Sequence, residues 1–227
     1  MLKSLPQMMK MYGIPGISLA IVIDQQISTF ECGVKNSLSQ EPVTSTTVFE
    51  GASFSKPLIA YAALQLCEKG LLALDIPLNT YRANQKVNDP YLAAVTLRHV
   101  LSHTGGFSTA NLQPGEPLQL DSMPGSRFSY SGEGFRYLGK VIENITGTSL
   151  ASYMHSHVFI PLKMNNSSFV WEEKYDILAA SPHNQKGDPL EKWKPHHAIA
   201  SFSLHTTASD IVLAFVSFHQ RQLSSVP

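Results

Sequence analysis

Charge is scarce in this chain and evenly divided. Only 15% of the 227 residues are charged, 17 basic against 17 acidic, for a formal net charge of +0. Such a balance gives no electrostatic pull toward nucleic acid or an anionic membrane surface. Cysteine is nearly absent. Cys32 and Cys67 are too few for a disulfide framework, and Cys67, inside an apolar helical run, reads as a small buried hydrophobe. The longest apolar run, Ile17 to Ile23, is far too short to cross a bilayer. The opening MLKSLPQMMKMYG has one Lys before a broken apolar stretch and lacks the hydrophobic region and cleavage site of a secretory leader. The expectation is a soluble protein with no membrane span, cytoplasmic by default, or periplasmic or secreted if a leader has been removed.

Other absences narrow the chemistry. No G-x-S-x-G is present, which removes the nucleophile elbow of the α/β-hydrolases. No H-E-x-x-H or C-x-x-C occurs, and His183, His196, His197 and His205 fit no common ligand spacing. They read as packing or solvent-exposed histidines, so no metal is expected. Gly132-Glu133-Gly134 lacks the third glycine of a dinucleotide loop. No organic cofactor is expected either. The 14 Gly and 14 Pro are spread along the chain, with no low-complexity linker and no internal repeat.

What is present is apolar and patterned. Hydrophobic residues make up 43% of the chain, enough for one sizeable core or two small lobes. Gly16 to Ile23 (GISLAIVI) has the pattern of a strand buried on both faces, and Ile27 to Gly33 reads as its hairpin partner. Thr44 to Phe49 is a short extended segment. From Ser53 the character changes: SFSKPLIAYAALQLCEK is rich in Ala and Leu and stops at Gly70, a central helix apolar on all sides. Val95 to Ser102 is a second helix, with Thr96 as N-cap. Phe135, Leu138, Ile142 and Ile145 mark a third, closed by Gly147. A fourth starts near Ser149, and Thr207 and Asp210 have capping-box spacing before a fifth over Ile211 to Phe218.

The residues that could carry chemistry are Ser53-Phe54-Ser55-Lys56, an S-x-x-K. Positions three apart share a helix face, so the Ser hydroxyl and Lys amine can come within hydrogen-bond reach. A helix N-terminus favours negative charge developing on the serine. A Lys in a buried apolar helix is disfavoured as the cation and can act as a base. Roughly one such tetrapeptide is expected by chance in a chain of ordinary composition, so context decides. Tyr130-Ser131-Gly132 precedes the third helix, and a Tyr hydroxyl at the mouth of a cleft can relay a proton.

Taken together these pieces resemble the serine β-lactamase-like and penicillin-binding-protein-like hydrolases: class C β-lactamases, D,D-peptidases and related esterases. The resemblance covers nearly the whole chain in the family's order. Pro15-Gly16 opens the first strand and Thr47-Val48-Phe49 precedes the S-x-x-K. Then come Glu68-Lys69-Gly70 with Leu74-Asp75-Ile76-Pro77-Leu78, and Val95 to Phe107 (VTLRHVLSHTGGF). Pro124 to Ser131 (PGSRFSYS) and Thr206-Thr207-Ala208-Ser209-Asp210 complete the series. The resemblance implies Ser53 as nucleophile, Lys56 as base and Tyr130 as proton relay, with the Ser53 N–H as one oxyanion donor. It implies an α+β fold of β-lactamase/transpeptidase type, an antiparallel sheet packed with a helical lobe. The site would lie in the cleft where the Ser53 helix begins. It implies hydrolysis of an ester or amide through an acyl-enzyme, acting on small esters, β-lactams or D-amino-acid peptides.

The chain departs from that family twice. Gly132 stands where β-lactamases and D,D-peptidases usually carry an Asn that helps bind the substrate amide, which leans the reading toward an esterase. The family's third motif, K-T-G or H-x-G on a strand roughly a hundred residues past the S-T-A-x-D block, is missing. We therefore expect residues 1–227 to be a single β-lactamase-related catalytic domain, C-terminally truncated, with an incomplete sheet. The alternative is a catalytically inactive truncated homologue with a binding or structural role. The only partner implied is a small-molecule or short-peptide substrate.

Overall fold

A polar turn between two β-rich runs makes the first hairpin. The structure, a computed structural model, describes residues 4–24, 26–82, 89–108 and 118–224. Strand β1 (Gly16–Ile23) pairs antiparallel with β2 (Gln26–Gly33), Gly16 opposite Gly33 and Ile23 opposite Gln26. Asp24 enters the reversal with φ 48°, a left-handed conformation Asp tolerates better than most residues. The expected burial of β1 on both faces is not met. None of its residues is fully buried, and Ile21, Val22 and Ile23 are exposed. The reason is that this sheet has two strands among the described residues, and two strands shelter little surface.

Chain contacts divide the molecule into two compact units, the first made of 1–51, 159–197 and 204–227, the second of 52–158 and 198–203. In the first unit, helix α1 (Leu5–Tyr12) precedes the hairpin. It has Pro6 in its first turn and Gly13 at φ 64° closing it, and it buries only Met9. Sequence patterning gave no sign of this helix. Strand β3 (Phe49–Ala52) is hydrogen-bonded to β4 (Leu204–Thr206), another element the pattern missed. A core of Val48, Tyr175 and Ala179 gathers Trp171 and Leu178 around it. The last helix (Ala208–Ser224) packs along the hairpin. Its start combines two anchors: the Asp210 N–H donates to Thr207 Oγ1 at 3.2 Å. The Asp210 carboxylate accepts from the Asn166 N–H and the Ser167 hydroxyl, both at 2.8 Å.

The second unit is helical. It contains α2 (Ser55–Glu68), the short α3 (Pro90–Ala93), α4 (Leu97–Leu101), α5 (Gly132–Thr146) and α6 (Leu150–Met154). Helix α2 buries Leu58, Ile59, Ala62, Ala63 and Leu66, as its composition predicts, and α5 packs against both α2 and α4. Caps fall where expected. Thr96 Oγ1 accepts the His99 N–H while His99 Nδ1 accepts the Thr96 N–H, both at 3.3 Å, so a His takes the place of Glu in a capping box. Ser131 and Ser149 cap α5 and α6, and Gly147 at φ 67° ends α5. Two of the sequence blocks are tied together here. Arg98 grips both carboxylate oxygens of Asp75 at 2.7 and 2.8 Å, its own N–H donates to the Leu74 carbonyl, and Leu78 donates to Val95.

Glycine at 139 sets how closely α5 meets the returning segment 198–203. A Cβ there would lie 2.9 Å from the Ala200 Cβ and 3.1 Å from Leu150 Cδ2, closer than packed atoms come. The full width of a branched side chain cannot be absorbed at such a crossing. Gly139→Val is expected to lower the unfolding free energy by about 1–3 kcal/mol through overpacking, read from the urea midpoint at constant slope.

Candidate active site

The backbone at the end of β3 is forced into a tight corner. Ala52 has φ 42°, a left-handed conformation costly for a residue with a Cβ. The Lys56 N–H then donates to the Ser53 carbonyl at 3.1 Å, and the Ser55 hydroxyl to the Ala52 carbonyl at 2.6 Å. These bonds lock a turn over 52–56. Regular helix begins at Ser55, two residues later than the sequence suggests, and Ser53 sits in the turn before it.

Lys56 occupies the first turn of α2 and is only 6% exposed. Burying an amine this deeply is tolerable only when hydrogen bonds replace its water. Its Nζ donates to Ser53 Oγ at 3.0 Å and to the Ser201 carbonyl at 2.8 Å, and lies 4.8 Å from the centre of the Tyr130 ring. Ser201 is presented by a small turn in which Phe202 and Ser203 N–H groups both donate to the Ile199 carbonyl and Ser203 Oγ accepts from the Ile199 N–H. Tyr130, on the segment leading into α5, is 51% exposed. Burial pulls the phenol pKa up, but hydrogen bonding to Lys56 and Ser53 and the Lys56 charge outweigh it, so the phenol lies below its usual value.

His103 closes the group. It follows α4 with φ 54°, and Gly106 just beyond it takes φ 76°, where any side chain would run into the Ser122 carbonyl. The His103 ring lies 4.4 Å from that of Tyr130 at 30° and 5.3 Å from that of Phe135. Its Nδ1 accepts the Ser131 N–H at 3.1 Å, and its carbonyl accepts the Ser129 N–H at 2.7 Å. Burial, and after it the Lys56 charge, lowers the imidazole pKa, in keeping with Nδ1 as acceptor. Ser53, Lys56, Tyr130 and His103 line a cavity of about 280 Å³ whose remaining walls are Pro57, Ala60, Leu101 and Phe135.

The structure thus brings Ser53, Lys56 and Tyr130 together, all in the second unit. Sequence reasoning missed the contributions of Ser201 and His103. His103 lay inside a block already noticed, but nothing in a sequence marks a positive φ at a histidine. Ser201 is 145 residues from Lys56 along the chain and has no local signature. Of the other histidines, His183 accepts the Ser37 N–H through Nε2, and His205 packs among Trp171, Tyr175 and Trp193. His196 and His197 are exposed. Among the described residues no group of three or more His, Cys, Asp or Glu is placed to hold a metal ion, and no helix is long and apolar enough to cross a membrane.

Comparison with known proteins adds an independent line. The beta-lactamase family model matches residues 3–225. Penicillin-binding protein 4 of Amycolatopsis lactamdurans is 27% identical over 220 residues, covering 88% of this chain and 58% of that one. Esterase EstB of Burkholderia gladioli is 28% identical over 187 residues, covering 70% and 47%. The crystal structure of the D-alanine carboxypeptidase AmpC from Burkholderia cenocepacia superposes with a TM-score of 0.81 at 26% identity, over 94% of this chain and 61% of that one. The chain therefore spans about half to three-fifths of the length of these relatives. The site itself makes a direct prediction. If Lys56 holds the Tyr130 phenol low, the phenolate absorbance assigned to Tyr130, by difference against Tyr130→Phe, will appear below the usual tyrosine range. It will move upward in Lys56→Met.

Proposed function

The chain belongs to the beta-lactamase family and has its β-lactamase/transpeptidase fold, and from that premise we propose that it is a serine hydrolase working through a Ser53 acyl-enzyme. The observation that carries this reading is the 3.0 Å hydrogen bond between Lys56 Nζ and Ser53 Oγ, in a cavity that also admits the Tyr130 ring. With Lys56 Nζ in its neutral amine form, Ser53 Oγ attacks the carbonyl carbon of the substrate and Lys56 takes its proton. The carbonyl oxygen becomes an oxyanion, with the Ser53 N–H as one donor toward it. The carbon–oxygen bond to the leaving group then breaks, and the proton reaches the departing alkoxide through Tyr130. Water attacks the acyl ester by the reverse relay and frees Ser53.

Among substrates we propose small esters first. The cavity, about 280 Å³, sits at the lower edge of the ~300–1,000 Å³ of drug-sized ligand sites, and four of its lining residues, Pro57, Ala60, Leu101 and Phe135, are apolar. That suits a short neutral acyl group. Position 132 supports the same preference, since glycine offers no side chain to hold a substrate amide. A side chain would fit there, however: a Cβ on Gly132 would stand 3.5 Å from Ser201 Oγ, an ordinary contact.

The test is intact mass and turnover with a short p-nitrophenyl ester and a reporter β-lactam, for the chain and for Ser53→Ala. A Ser53-dependent acyl adduct is expected, with ester turnover reduced at least about a thousandfold in the variant. A folded chain that forms no adduct with either reagent overturns the proposal and favours a non-catalytic relative. Gly132→Asn is expected to raise β-lactam acylation relative to ester turnover.

A further inference from the structure

We propose that His103 is the positioning residue for Tyr130, holding the phenol against Lys56 and Ser53 from both sides of the chain at once. This rests on the hydrolase reading above, in which Tyr130 relays the proton. The need for such a device is visible in the exposure of Tyr130. The residue is half exposed, on an irregular segment whose neighbour Phe128 is more exposed still. A tyrosine so placed has rotamer and backbone freedom to lose, and a proton relay works only at hydrogen-bond distance.

His103 restrains that segment through three contacts made by one residue. Its carbonyl accepts the N–H on one side of Tyr130, from Ser129, and its ring Nδ1 accepts the N–H on the other side, from Ser131. The tyrosine is left clamped between two fixed peptide groups. The imidazole ring then lies against the phenol ring in a close tilted contact, centroids 4.4 Å apart at 30°. Phe135 supports the imidazole in turn, at 5.3 Å. With Nδ1 accepting, the ring proton of the neutral imidazole belongs on Nε2.

The backbone adds an independent argument. His103 has φ 54°, a conformation that glycine or asparagine adopts more readily and that costs other residues on the order of 1–2 kcal/mol. Strain of this kind persists where the side chain does something the relaxed residue would not. Here the left-handed turn aims the carbonyl and the ring at amides two residues apart.

Two variants that suit the left-handed backbone separate this role from a structural one. His103→Gly removes the ring and the Nδ1 acceptor. His103→Asn keeps a shorter acceptor and loses the aromatic face. In H103G the Tyr130 phenolate titration, read by difference against Tyr130→Phe in the same background, is expected to rise toward that of an ordinary tyrosine. The kcat for a p-nitrophenyl ester is expected to fall about tenfold to a hundredfold, with KM changed less than about twofold. H103N is expected to lie between H103G and the native protein in both readouts, and carries the test by itself if H103G does not fold. A folded variant whose Tyr130 titration and kcat match the native protein overturns the proposal. The titration needs no substrate. If it shifts in H103G while the native chain forms no Ser53 adduct, the positioning role stands and the hydrolase reading falls.

Discussion

The placement of one buried amine governs the site. Lys56 lies in the first turn of an apolar helix, where an amine is costly unless its donors are satisfied. Its Nζ reaches Ser53 Oγ on one side and the Ser201 carbonyl on the other. Each partner depends on a further constraint. Ser53 is where it is because Ala52 accepts a left-handed φ and the Ser55 hydroxyl ties the turn back to the Ala52 carbonyl. The 198–203 segment approaches because Gly139 gives α5 no side chain at the Ala200 contact. A helix rich in Ala and Leu therefore does two things. It builds the core of the second unit, and it supplies a dry environment in which hydrogen bonds to a single amine are strong.

Two left-handed non-glycine residues lie near this amine, while Asp24, Gln40 and Lys163 take the same conformation elsewhere. The near ones are Ala52, in the turn that carries Ser53, and His103, facing Tyr130. Such residues weaken a fold locally and are kept where geometry matters more than stability. The neighbouring glycine at 106 relieves the same loop where no side chain could fit. Lys56 acts on both neighbours: burial and then the Lys56 charge lower the imidazole, while hydrogen bonds to Lys56 and Ser53, with the Lys56 charge, lower the phenol against burial.

Membership of the beta-lactamase family joins this chain to relatives whose names span penicillin-binding proteins, esterases and beta-lactamases. In the site proposed for this chain, Ser53 and Lys56 come from the start of one helix and Tyr130 from the entry to another. Discrimination among acyl groups is left to the surrounding walls. In this chain those walls are Pro57, Ala60, Leu101 and Phe135.

The sequence by itself determined the local elements whose physics is local. Ala/Leu-rich composition placed α2 and periodicity placed α5; Thr96, Ser149 and Gly147 marked helix ends, and the polar turn after Ile23 marked the hairpin. The S-x-x-K spacing put Ser53 and Lys56 within reach of each other because positions three apart on a helix turn share a face. Ordered motif blocks then supplied Tyr130 by resemblance. Where burial depends on what packs alongside, the sequence misled: β1 reads as a strand covered on both faces, yet its last three residues are exposed. Only the tertiary structure decided which distant groups complete the site. The Ser201 carbonyl reaches Lys56 from 145 residues away, and His103 meets Tyr130 across a left-handed turn that no side-chain pattern encodes. Helix α1, strand β4 and the aromatic cage of His205 were equally silent. Each is too short or too dependent on long-range contacts for propensity to reveal it, since their stability comes from packing and not from the residues' own preferences.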